Sequence, residues 1–334
     1  MQRKIDQLEP FQRAISKAHL ASAGISIDSL EDPNKPLIAI ANSWNEVCSG
    51  HEPLRQLAAE VKKGVLEAGG EPIEFNTIGM CDGVAQGHPG MRYCLPHRDL
   101  ITDSCEAMIV GEGVFDGVVY MGSCDKIIPG MLNAAARINL PSAIVTAGPC
   151  YDEIKPSQSK ALRAAFLRGE ASERDVIEGT LKYYTGPGIC PFLGTANTMG
   201  CLSEALGMML PYGALWPSST SQRRFSARQT GACVVELVRK GIRPSDIMTQ
   251  GLLTMRSNFL PLSAGPSTRW YISRPSRMSL GWRSLGTRLP TSPVALPSCV
   301  TSSPTVTSAA STSTKRAVSP LCSRPLRGTL TPQQ

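Results

Sequence analysis

Beyond Asp246 this chain has no acidic residue. Its last 88 residues hold ten Lys and Arg and no Asp or Glu, a balance of +10, while the body before them has 24 Lys and Arg against 27 Asp and Glu, a balance of −3. The net charge of +7 therefore belongs to the tail, and the body offers nothing for a polyanionic partner to recognise. From about Pro261 the tail is rich in Ser, Thr, Pro and Arg and has no sustained apolar period. Such a segment cannot bury enough surface to offset its ordering entropy, so 261–334 is expected to be disordered. Its aromatics are few (Trp270, Tyr271, Trp282) and no recognisable module accompanies them, so no nucleic-acid partner is expected.

Other features are missing too. There is no run of about 18 apolar residues, so no membrane span is expected. The opening Met1-Gln2-Arg3-Lys4-Ile5-Asp6 lacks the apolar core of a signal peptide, which points to a cytoplasmic, reducing setting. The eleven cysteines are then unpaired thiols that serve metal, catalysis or packing. None of the tight C-x-x-C spacings of a zinc finger is present, and there are no internal repeats.

What is present is an alternation of strand and helix. Leu37–Ala41, Pro72–Ile78, Gly117–Met121 and Ala143–Gly148 read as strands, and helices are expected at 11–23, 54–66, 99–110, 131–138, 159–168 and 195–209. Ser172 with Asp175 three residues on marks one further helix start. Residues 212–225 read as irregular before a helix at 230–240. The pattern predicts a layered α/β/α fold with a mostly parallel sheet over residues 1–260.

Loops at the ends of strands carry the chemistry in such folds. Gly122-Ser123-Cys124-Asp125-Lys126 follows one apolar run, and Asn42-Ser43-Trp44-Asn45-Glu46-Val47-Cys48 with His51 follows another. Cys81-Asp82-Gly83 with His88 and Gly186-Pro187-Gly188-Ile189-Cys190 complete the set. Taken singly, Cys48, Cys124 and Cys190 are small buried hydrophobes. Their shared position after strands argues that they converge, and three thiolates meeting at one sheet edge suit an iron–sulfur cluster with one iron open. Asp82, before Gly83, reads singly as turn chemistry, and Asp82 and Asp125 together read as an oxygen site for Mg²⁺. Lys126 is ordinarily half of a surface ion pair; buried with a lowered pKa, it becomes a nucleophile or a carbamate ligand. His51 and His88 are satisfied loop histidines or lie against a substrate. Cys81, Cys94, Cys105, Cys150, Cys201 and Cys233 read as packing.

With these loops assembled, the chain resembles the dihydroxy-acid and phosphogluconate dehydratase family. The matching segments are Asn42-Ser43-Trp44-Asn45 with Cys48 and His51; Cys81-Asp82-Gly83 to Gly87-His88 and Gly90-Met91; Cys124-Asp125-Lys126 with Pro129-Gly130; and Cys190 with Gly194-Thr195-Ala196-Asn197-Thr198. The flanks Tyr93, Leu95-Pro96, Arg98 and Leu100-Ile101 look most like the dihydroxy-acid branch, and Met80 to Val84 with Gln86 also suit the sugar-acid branch.

The resemblance implies that Cys48, Cys124 and Cys190 hold a [2Fe–2S] or [4Fe–4S] cluster. It implies that Asp82, Asp125 and a carbamylated Lys126 hold Mg²⁺. The implied reaction removes water from a 2,3-dihydroxy acid to give a 2-keto acid, a step of branched-chain amino-acid biosynthesis, in a homodimer. A sugar acid is the alternative substrate, and a non-catalytic metal-binding remnant the alternative role. Family members continue into a β-barrel-like C-terminal domain that supplies a base serine and a further carboxylate. Neither can be placed here, because after Asn258-Phe259-Leu260 the acid-free tail begins. The expectation is therefore a truncated or out-of-frame C-terminal part, with the catalytic base unassigned.

Overall fold

A strand that is apolar at every position has to be covered on both faces. The computed structural model, which describes residues 2–248, shows how that cover is built. The chain opens with α1 (Pro10–Ser22) and α2 (Ile27–Glu31), enters the sheet at β1 (Leu37–Asn42), and continues through α3 (Leu54–Glu67) and β2 (Glu71–Asn76). Then come α4 (Asp82–Ala85), α5 (Pro96–Glu112), β3 (Gly117–Met121), α6 (Ile127–Ile138) and β4 (Ser142–Val145). After the sheet follow α7 (Pro156–Leu167), α8 (Glu173–Tyr183), α9 (Thr195–Ala205), α10 (Ser221–Lys240) and α11 (Pro244–Ile247). Residues 249–260 of the expected domain and the whole 261–334 tail lie outside the described residues.

The four strands are parallel in the order β2-β1-β3-β4. Every residue of β1 and β3 is buried. Ile38, Ile40, Val119 and Met121 point to one face and meet Leu57, Val61 and Val65 of α3 and Val234, Val235 and Val238 of α10. Ala39, Ala41, Val118 and Tyr120 point to the other and meet Ile101 and Ile109 of α5 and Met131 and Ala134 of α6. The expected three-layer α/β/α arrangement is thus present. β2 carries Pro72 and two glutamates and is only partly buried, as suits an edge. Helices α3 and α10 approach so closely that a Cβ on Gly64 would lie 1.8 Å from the Arg228 carbonyl oxygen.

One expectation needs correction. The stretch 212–225 is not irregular throughout, because α10 begins at Ser221 with the Thr220 side chain capping the Arg223 amide. Arg223 is 1 % exposed and donates to the carbonyls of Thr146, Gly213 and Trp216. This buried guanidinium is an internal brace of the fold.

From β1 the chain moves outward to β2, then returns to the other side of β1 as β3 and goes on to β4. The order reverses between β1 and β3, and the loops leaving those two strands border the crevice where open α/β sheets bind ligands.

Candidate metal centre

The loop after β1 is organised by Asn45. Its side-chain oxygen accepts from the amides of Val47 and Cys48 at 3.1 and 2.9 Å. Its side-chain nitrogen donates to the carbonyls of Ser43 and Gly79 at 3.1 and 2.9 Å and lies 3.0 Å from His51 Nδ1. One residue thereby ties the Cys48 loop to the segment leading into Cys81 and Asp82. His51 is fully buried, and its Nε2 lies 3.2 Å from the Ser123 carbonyl, which makes it the donor there and leaves Nδ1 to share the two Asn45 N–H groups with the Ser43 and Gly79 carbonyls. Burial pulls its pKa down to about 4, so the ring is neutral. Both ring nitrogens are engaged, and the ring braces the β1 loop against the β3 loop. The fit is close: a Cβ on Gly79 would lie 2.5 Å from the imidazole.

The loop after β3 places Cys124 in the left-handed region, at φ 69°. Few non-glycine residues adopt that conformation, and they concentrate at functional sites. Ser123 is pinned behind it, its hydroxyl accepting from the Ala147 amide at 3.0 Å. The result brings Cys48 Sγ, Cys124 Sγ and a His51 ring nitrogen within 4.8 Å of one another. Gly50 leaves the space beside them open, since a Cβ there would lie 3.2 Å from Cys124 Sγ and 3.7 Å from Cys48 Sγ. Contact with the Cys124 thiol is the largest of the influences that push Cys48 up to about 12, opposed by the Cys81 thiol.

Cys190 lies outside that tight group but borders it. Ile189, its neighbour, would be 3.1 Å from a Cβ on Gly50, and the Gly188 amide donates to the Ser49 carbonyl at 2.8 Å. Asn197 at the start of α9 holds the loop by donating to the carbonyls of Cys190 and Phe192 at 2.7 and 2.8 Å. Burial is the main cause that raises the Cys190 thiol pKa, and the charges of Asp82 and Asp125 add to it, so thiols and carboxylates share one neighbourhood.

The carboxylates converge as expected. Lys126 Nζ donates to Asp82 Oδ2 at 2.7 Å and to Asp125 Oδ2 at 2.8 Å. The Lys126 and Asp125 side chains are each 9 % exposed and Asp82 is 30 % exposed, so this is a largely buried triad rather than a surface ion pair. The expected lowered lysine pKa is not what this geometry gives. Burial does pull it down, but the hydrogen bonds and charges of Asp125 and Asp82 outweigh that and hold the ammonium above the ordinary lysine value.

His88 stands apart: its Nδ1 accepts from the Gly90 amide at 3.0 Å, and the ring lines an open apolar cleft with Val47, Cys81 and Val84. Cys81, read from the sequence as packing, has the Cys48 thiol as the main cause that raises its own thiol pKa. His97, unremarked in the sequence, is 4 % exposed on the first turn of α5, and neither ring nitrogen makes a hydrogen bond of ordinary geometry among the described residues. Its Leu-Pro-His-Arg setting gave no signal, because a histidine at a helix start is usually solvated.

A family model described as dihydroxy-acid/6-phosphogluconate dehydratase N-terminal matches residues 35–256. The chain belongs to this family. Dihydroxy-acid dehydratases from Acetivibrio thermocellus and Caldicellulosiruptor bescii are 43 % and 45 % identical to it over 245 residues, 72 % of this chain and 44 % of each relative. The dihydroxy-acid dehydratase from Pyrococcus abyssi is 42 % identical over 249 residues, again 72 % of this chain and 44 % of the relative. The chain therefore spans less than half the length of the curated dehydratases it matches. All eight residues singled out in the sequence fall inside the dehydratase-family match. Among the described residues, no helix is long and apolar enough to cross a membrane.

Proposed function

We propose that this chain carries the metal-holding domain of a cytoplasmic hydro-lyase that removes water from a 2,3-dihydroxy carboxylic acid to give a 2-keto acid in branched-chain amino-acid biosynthesis. The observation that carries the reading is the convergence of Asp82 and Asp125 on one cation, the Lys126 ammonium, beside the Cys48–Cys124 pair. That ammonium marks a place where the fold already accommodates positive charge between two carboxylates. The opening left by Gly50 is the corresponding accommodation on the sulfur side.

Cys48, Cys124 and Cys190 would hold an iron–sulfur cluster, [2Fe–2S] or [4Fe–4S], and Asp82 and Asp125 would hold Mg²⁺ with a carbamylated Lys126. When bound, these groups supply Lewis acids for the substrate's carboxylate and hydroxyl oxygens. The protein's own share is positioning. Neutral His51 fixes the two cysteine loops against each other, and Asn45 fixes the approach of the Asp82 segment. Lys126 must first surrender its proton; its neutral amine then forms an N–C bond to CO₂ and releases a second proton, leaving an anionic oxygen where the ammonium stood. The base that removes the substrate's C2 proton is left to the family's C-terminal domain, and the working assembly is a homodimer.

Iron and acid-labile sulfide are to be measured, with the visible spectrum, on anaerobically purified protein and on Cys124→Ser. The expected result is both elements in the parent and neither in the variant. A parent that takes up no iron would sink the reading.

A further inference from the structure

Resting on that cluster reading, we propose that Tyr184 is a positioning residue for the Cys190 sulfur: its hydroxyl donates a hydrogen bond to the bound thiolate and raises the reduction potential of the group that sulfur would hold. The hydroxyl lies 3.6 Å from Cys190 Sγ, within the reach of a hydrogen bond to sulfur. Of the three thiols this one has a partner of a different kind. Cys48 and Cys124 face each other, whereas Cys190 faces a phenol, which has a proton to donate throughout the neutral range.

The approach is built by the fold. Tyr184 caps the C-terminus of α8, its amide donating to the Thr180 carbonyl, and the chain turns back within six residues to present Cys190 to it. Tyr183 packs edge-on against the Tyr184 ring at 4.9 Å and also neighbours Phe192 at 6.3 Å, so both sides of the loop are walled by aromatic rings. Asn197 fixes the carbonyl of Cys190 and that of Phe192 just beyond it.

A hydrogen bond to a ligating sulfur draws charge from it, and such bonds are among the determinants of iron–sulfur potentials. Charge withdrawn from Cys190 is also withdrawn from the metal it holds, which favours the reduced state and strengthens the metal as an acceptor of oxygen ligands. Tyr184→Phe removes the donor and leaves the ring. Replacement by 3-fluorotyrosine keeps the shape and makes the hydroxyl a stronger donor.

The test is a redox titration of anaerobically reconstituted wild-type protein, Tyr184→Phe and the fluorotyrosine variant, with iron and sulfide counted in each. With equal loading, the oxidised-to-reduced ratio of Tyr184→Phe at the wild-type midpoint is expected to rise about tenfold, a 59 mV fall for a one-electron couple, and the fluorotyrosine midpoint to move the other way. Coincident midpoints in loaded proteins overturn the role of Tyr184 while leaving the cluster reading intact. If Tyr184→Phe fails to load, the fluorotyrosine variant decides alone: an upward shift supports the proposal and no shift overturns it. Wild-type protein that binds no iron removes the cluster reading and this inference with it.

Discussion

Asp82 and Asp125 already have a cation between them, whereas Cys48 and Cys124 have chiefly each other and the neighbouring Cys81. The carboxylate half of the site is partly compensated from within: one buried ammonium answers two carboxylates and leaves one negative charge in excess. In the thiol half, contact with the Cys124 thiol is the main cause that holds Cys48 protonated well above the neutral range. Its geometry comes from the scaffold behind it, the Asn45–His51–Ser123 brace and the left-handed turn at Cys124. Damage to the first half should therefore register as lost stability, and damage to the second as lost metal.

The largest expected effect follows from removing the internal cation. Lys126→Met keeps the bulk but leaves two carboxylates facing each other without a partner. Breaking a buried ion pair costs about 3–5 kcal/mol, and the partial exposure of Asp82 puts this case at about 3 kcal/mol or somewhat less. Urea unfolding with and without Mg²⁺ measures it, and Mg²⁺ should stabilise the variant more than the parent. A loss under about 0.5 kcal/mol, the range of ordinary surface changes, would mean that the triad does not carry the charge balance of the site.

Acid should act through the thiol half's scaffold. His51 stays neutral down to about pH 4 in the fold, against 6.5 for a free histidine, so the unfolded chain binds more protons between those values. Stability then falls as pH drops through that window, by up to about 3 kcal/mol from this residue. Thermal melts from pH 7 to 4 should show that slope in the parent and a flatter one in His51→Gln. Equal slopes would mean the ring is not what acid attacks.

The smallest stability effect and the most selective one is expected from Gly50→Ala. Its Cβ would crowd Ile189 and Cys124 Sγ at 3.1 and 3.2 Å, contacts that a small shift relieves, so about 1 kcal/mol is expected. Iron loading should fall several-fold while the melting temperature drops by only about 2–4 °C. Unchanged loading would show that the opening at Gly50 is not needed by the metal.

Much of the scaffold was legible because its elements are locally emphatic. Leu37–Ala41 and Gly117–Met121 are apolar throughout, and nothing but a buried strand suits them. Ser172 and Asp175 do form the expected capping box. Boundaries slipped where a residue's usual meaning was overruled. The helix expected over 131–138 starts earlier, at Ile127, since a proline such as Pro129 is tolerated in a first helical turn. The stretch 212–225 lacks an apolar period, yet α10 begins at Ser221 within it, where backbone carbonyls take up the buried Arg223 charge. In the site, the meeting of Cys48 with Cys124 and of Asp82 with Asp125 followed from their positions after strands. What spacing does not encode is which groups are already satisfied. The double engagement of His51, the Cys81–Cys48 contact and the Tyr184–Cys190 contact depend on side-chain directions that only the packed structure fixes.

If Cys124 holds the proposed cluster, its left-handed turn sets folding and metal capture against each other at a single residue. An L-residue with a Cβ gives up roughly 1–2 kcal/mol in that conformation relative to glycine, and asparagine tolerates it better than most. A directed-evolution campaign that scored this protein by solubility or heat resistance alone would therefore be rewarded for replacing Cys124 with glycine or asparagine. It would deliver a hardier protein that had lost the sulfur the site is built around.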